Sequence, residues 1–162
     1  MIMDRLLQTI RAFDGVLELT PEKGSTYPEV AWDDHFFYFS PDGQVPEHVQ
    51  PYATVVTKNY PDDTLSDLDR TGRWRLNIHV GVDAFVELTG ERPGGEARSR
   101  DYSVADVVLP HPVYRQQGWI AIVNPGPETE ELAVRLLASA HHDAERRARR
   151  RATVGQMGAG DQ

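Results

Sequence analysis

The run Arg73-Trp74-Arg75-Leu76-Asn77-Ile78-His79-Val80 alternates polar and apolar residues without a break. A side-chain period of two belongs to a β-strand, whose successive residues point to opposite faces. Trp74, Leu76, Ile78 and Val80 therefore predict a core-facing side. Arg73, Arg75, Asn77 and His79 share the other face.

Working outward from this strand, Ala53 to Lys58 reads as a second one, stopped by Asn59-Tyr60-Pro61-Asp62-Asp63. Residues 64–70 are compatible with one or two helical turns. Glu29 to Trp32 and Phe36 to Phe39 flank Asp33-Asp34-His35 as a hairpin, and Ser40-Pro41-Asp42-Gly43 ends it with turn chemistry. Val16 to Thr20 is a short strand, and Pro21 to Pro28 a loop. At the N-terminus, Ile2, Leu6, Leu7, Ile10 and Phe13 recur at helical spacing. Asp14-Gly15 stops that helix.

Downstream, Val82 to Leu88 suits a helix closed by Gly90, with Phe85 and Leu88 inward. Arg92 to Ser103 reads as a flexible loop, and Asp106 to Leu109 as a brief extension. Gly118 to Val123 is a buried strand. Pro127 with Glu128, Glu130 and Glu131 starts a last helix, placing acids where the dipole favours them. Leu132, Leu136, Leu137 and Ala140 are its expected stripe. Two of the strand connections are too short for a crossover helix, so antiparallel pairing is expected to dominate. The predicted fold is α+β: a single, mainly antiparallel sheet flanked by N- and C-terminal helices. Residues 1–150 form one domain, and 151–162 are expected to be a disordered tail.

The 162 residues suffice to bury roughly two-thirds of the unfolded surface without staples. There is no cysteine. Disulfides, thiolate nucleophiles and cysteine-based metal sites are thereby excluded. No segment approaches the roughly 18 apolar residues of a membrane span. The first residues lack the pattern of a secretory signal, so a cytoplasmic location is the default. Five of the 17 basic residues lie between Arg146 and Arg151, and Asp161 is the only acid after Glu145. Residues 1–145 thus carry 12 basic against 24 acidic side chains, a net of −12. Such a body repels nucleic-acid phosphates.

Several segments carry a resemblance. They are Phe13-Asp14-Gly15-Val16, Trp32 to Tyr38, Pro51 to Lys58, Leu76-Asn77-Ile78 with Gly81, Leu109 to Tyr114, and Trp119 to Gly126. Through them the chain resembles an uncharacterised actinobacterial domain-of-unknown-function family over roughly residues 3–150. More distantly it is similar to the MmcQ/YjbR-like family, with Lys58, Pro112 and Trp119 in comparable places. That likeness implies a frataxin-like sandwich. The 91–104 loop and the Asn124-Pro125-Gly126-Pro127 turn depart from it, and no activity transfers.

Candidate chemistry is sparse. His111 in His111-Pro112-Val113-Tyr114 has the residue type of a general base, with Tyr114 as hydrogen-bonding partner. The plainer reading is a proline-stiffened turn. Arg75, Asn77 and His79, with Arg73, offer cations, an amide and an imidazole to a ligand if their face lines a cleft. Otherwise they are the solvated side of a sheet. Lys58 can reach a ligand at a strand end or simply sit on the surface. Asp33-Asp34-His35 reads as a turn rather than a metal site, because adjacent residues rarely converge on one ion. His141-His142 read as helix-surface residues, and Trp32, Trp74 and Trp119 as core.

No metal or other cofactor is expected. The leading expectation is a small-ligand- or protein-binding module, monomeric or homodimeric, using the polar sheet face and the His111 loop. The alternatives are a small enzyme with His111 as general base, assisted by Tyr114 or His79, and DNA binding through the C-terminal arginines.

Overall fold

The computed structural model describes residues 1–159, and the side chains of 1–155. The element order is α1 (Ile2–Arg11), β1 (Val16–Leu19), β2 (His35–Phe39), β3 (Ala53–Val56), β4 (Arg75–His79), α2 (Val82–Thr89), β5 (Leu109–Pro110), β6 (Trp119–Val123) and α3 (Glu130–Ala159). The six strands form one open sheet in the order β1-β2-β3-β4-β6-β5, and every neighbouring pair is antiparallel. The α+β class is as predicted.

The alternation in β4 decides the layering. Leu76 and Ile78 are fully buried and pair with Val55 and Ala53 on one side and with Ile122 and Ile120 on the other. With Phe37 they make the sheet side of the main core. Leu6, Leu7 and Ile10 of α1 and Ala133, Leu137, Ala140 and Ala144 of α3 supply the helix side. The stripe on α3 is therefore set by alanines, with Leu136 only partly buried. Burying small side chains lets a helix lie close to the sheet. Both terminal helices thus cover the same face.

Several local expectations change. Glu29–Ala31 is a 3₁₀ turn rather than a strand. Pro28 opens a run of local turn bonds, Ala31 N–H to the Pro28 carbonyl (2.9 Å) and Trp32 N–H to the Glu29 carbonyl (3.1 Å), which leave the segment no strand partner. Residues 64–70 form turns, stitched by Asn59 Oδ1, which accepts from the Leu68 N–H (2.9 Å), and Asp69 Oδ1, which accepts from the Asn59 N–H (2.9 Å). The 91–104 loop is pinned. Glu91, with 1% of its side chain exposed, pairs with Arg100 (2.5 Å) and Arg115 (2.8 Å).

The start of α3 is fixed by Asp106. Its carboxylate accepts from the backbone N–H groups of Gly126, Glu128 and Thr129 and from the Thr129 hydroxyl. These donors have no partner within the helix. A Cβ at Gly126 would come within 2.7 Å of Asp106 Oδ2, so glycine permits the approach.

The other end of α3 runs to Ala159, through much of the segment expected as a tail. Arginine and alanine are good helix formers, and Thr153 Oγ1 donates back to the Arg149 carbonyl (3.0 Å). Residues 160–162 of that segment lie outside the described residues. No helix among the described residues is long and apolar enough to cross a membrane.

Candidate functional site

The face of the sheet opposite the helices is neither solvated nor core. Arg75 and Asn77 are buried there, 1% and 2% exposed, because the 59–74 and 111–118 segments fold over them. Between these segments and the sheet lies a cavity of about 500 Å³, a size usual for small-molecule sites. Its floor includes Phe36, Tyr38, Thr54, Asn77, Arg75 and Trp119, and its walls include Tyr60, Asp63, His111, Val113 and Tyr114.

A tight turn builds one wall. Tyr60 and Asp63 exchange backbone hydrogen bonds (3.2 and 3.0 Å) around Pro61-Asp62, with proline at the position its fixed φ favours. The turn aims its two ends differently. Asp63 meets Arg75, accepting from Nη1 at 2.9 Å and from Nη2 at 2.5 Å. Tyr60 donates to Asp34 Oδ2 at 2.7 Å.

The remaining donors of Arg75 are also directed. Nε donates to Asn77 Oδ1 (2.7 Å) and Nη1 to Ser66 Oγ (3.0 Å), while Nη2 lies 3.2 Å from His111 Nε2. Asn77 Nδ2 in turn donates to Thr54 Oγ1 (2.9 Å). Burial pushes the Asp63 carboxyl up, but the hydrogen bonds and charge of Arg75 outweigh it and leave it below the usual carboxylate range.

His111 follows β5, with its backbone N–H donating to the Trp119 carbonyl (3.0 Å). The imidazole caps its own turn: Nδ1 accepts from the backbone N–H groups of Val113 and Tyr114, both at 3.0 Å. Its ring centroid lies 4.9 Å from that of Tyr114, which is itself exposed. Burial, with a smaller contribution from the neighbouring Arg75 charge, pushes the His111 pKa down to about 3. The imidazole is neutral at physiological pH.

A family profile matches residues 1–153 of the chain. The chain belongs to DUF6194, a family of unknown function. No curated protein and no solved structure matches it. For this DUF6194 member, the cavity geometry must therefore be read on its own terms.

Of the residues singled out in the sequence, Arg75, Asn77, His111 and Tyr114 converge on the cavity. Lys58 does not line it. Its ammonium donates to the Trp32 carbonyl (2.6 Å) and to Asp34 Oδ1 (3.0 Å), beside a shallower depression that includes Lys23 and Trp32. His79 lines neither. It lies against Trp119, ring centroids 5.7 Å apart, and burial followed by the charge of Arg147 lowers its pKa. Arg73 is spent on the carbonyls of Asp67, Ser66 and Ser103.

Asp34 reads in sequence as a turn residue, but it is fully buried. It accepts from the Thr57 backbone N–H and hydroxyl, Lys58 Nζ and the Tyr60 hydroxyl. His35 points elsewhere, to Glu18 (2.7 Å) and Thr20 (3.2 Å). Among the described residues, no group of three His, Asp or Glu side chains is placed to hold a metal ion.

His141 is likewise buried rather than on the helix surface. It bonds the Tyr52 hydroxyl (2.9 Å) and the Asp14 carbonyl (2.8 Å). Trp119, expected in the core, is partly exposed on the cavity side. Within the arginine run, Arg146 pairs with Asp143, and Arg149 pairs with Glu145 (2.5 Å).

Proposed function

We propose that this chain is a cytoplasmic small-ligand-binding module whose site is the cavity on the polar face of the sheet. The observation that carries the reading is the convergence of Arg75, Asn77 and His111 with Phe36, Tyr38 and Trp119 around one concave space of about 500 Å³. A few directed polar groups within aromatic walls are the usual composition of such sites. The Arg75–Asp63 pair holds the turn wall to the sheet floor, which favours a pre-formed space.

A catalytic base at His111 fits this geometry poorly. Nδ1 is taken by two backbone donors, and a conjugate acid with a pKa near 3 makes a weak base at neutral pH. His111, His79 and Lys58 also share no cavity. The MmcQ/YjbR-like layout enters the proposal as a likeness of architecture, supported by an antiparallel sheet with both terminal helices on one face.

The test is a thermal-shift screen of small molecules on the full chain and on an Asn77→Ala/His111→Ala variant. Ligands of this cavity raise the Tm of the parent and lose that effect in the variant. Shifts untouched by the substitutions would place the site elsewhere.

A further inference from the structure

His111 sets a hydrogen-bond count that, among the described residues, the surrounding protein groups do not close. A neutral imidazole has one N–H and one lone-pair nitrogen. The two backbone N–H groups at 3.0 Å require Nδ1 to be the acceptor, so the proton resides on Nε2. Nε2–H then faces another donor, Arg75 Nη2, at 3.2 Å. Asp63 Oδ2 is 3.9 Å away, beyond hydrogen-bond reach, and already accepts from Arg75. The His111 side chain is only 3% exposed. A buried donor left without an acceptor costs about 1–3 kcal/mol. Two donors side by side at a cavity wall call for a lone pair from outside the protein.

Charge narrows the class. The Arg75 guanidinium is matched two nitrogens to two oxygens by Asp63. The further charged lining residue, Asp62, is acidic and exposed. The lining thus has no uncompensated cation to hold an anion. Its lining is otherwise uncharged: Phe36, Tyr38, Val56, Val113 and Trp119 give aromatic and apolar surface, beside the neutral amides of Gln50 and Gln117.

We propose that the cavity takes an uncharged, flat, largely apolar molecule whose carbonyl oxygen accepts the His111 Nε2–H beside Arg75. This rests on the cavity being a binding site, as proposed above. Carbonyl recognition supplies the missing acceptor, and the aromatic floor supplies stacking area.

Three probes of similar size separate the possibilities: coumarin with a neutral carbonyl, naphthalene with no acceptor, and 2-naphthoate with a charge. Each is titrated into the unmodified, ¹⁵N-labelled chain while imidazole ¹⁵N–¹H correlations are recorded, so no destabilising substitution is needed. The expected result has three parts. The free protein shows His111 as the neutral Nε2–H tautomer, coumarin moves that proton downfield, and coumarin binds at least about tenfold more tightly than either other probe.

Tighter binding of 2-naphthoate would overturn the neutral-carbonyl class while leaving a ligand cavity intact. Equal binding of naphthalene, or a His111 resonance indifferent to coumarin, would overturn the role of His111. No binding by any probe, with His111 unmoved, would overturn both the class and the cavity reading.

Discussion

Arg75 on β4 and Asp63 in the 60–63 turn form a two-point ion pair, with 2% and 11% of their side chains exposed. The pair joins the sheet floor to a loop wall. Geometry of this kind is retained only when both charges remain, because either alone is a buried, uncompensated ion.

Removing one partner is therefore far worse than removing both. Asp63→Leu alone should cost roughly 3–5 kcal/mol. Asp63→Leu with Arg75→Met should recover most of that loss. Urea unfolding of the two single variants and the double variant checks it, and additive single effects would contradict the coupling.

His111 makes a prediction about acid. Its folded pKa lies near 3, against 6.5 for an ordinary imidazole, so the unfolded chain binds this proton first. The stability it confers is complete above about pH 6.5. It falls by about 1.4 kcal/mol per pH unit as acid is added and levels off near pH 3. His79, also lowered, acts in the same direction. Unfolding free energies between about pH 7 and 5.5, above the pH at which the carboxyls of the unfolded chain take up protons, should show the slope. A His111→Gln variant should flatten most of it.

Asp34 gathers four donors inside the protein. Asp34→Ala strands all of them and should cost roughly 3 kcal/mol, whereas Tyr60→Phe removes one donor and should cost about 1 kcal/mol. Thermal melts rank the two. A loss from Tyr60→Phe as large as that from Asp34→Ala would contradict the ranking, since this substitution keeps the ring and removes only the hydroxyl.

Glu91 should control the loop that follows it more than the global fold. Glu91→Gln weakens the bonds to Arg100 and Arg115, so amide exchange within residues 92–103 should speed up by on the order of tenfold. Protection in β4 and β6 should stay as it was.

Period-two patterning in residues 73–80 was enough to find the sheet and its core side, because burial on one face leaves a local signature. The same pattern could not say what covered the other face. Arg75 and Asn77 look solvent-exposed in sequence, and only the long-range folding of 59–74 and 111–118 buries them. Asp63 and Asp34 were hidden for the same reason, since their partners lie 12 to 26 residues away. The Pro61-Asp62 turn signal was the one local clue. The Glu29–Ala31 segment carries β-forming residues, but the turn bonds that follow Pro28 override their preference.

One contact bears on how the chain is made. His141 joins Asp14, 127 residues earlier, and the Tyr52 hydroxyl at the start of β3. Ala133, Leu137, Ala140 and Ala144 of the same helix complete the main core. During synthesis the sheet emerges with only α1 to cover its apolar face until α3 follows. The main core therefore closes only after the Ala133–Ala144 segment has been added. Released chains truncated before Ala133 should be protease-sensitive throughout, and those extended past Ala144 protected.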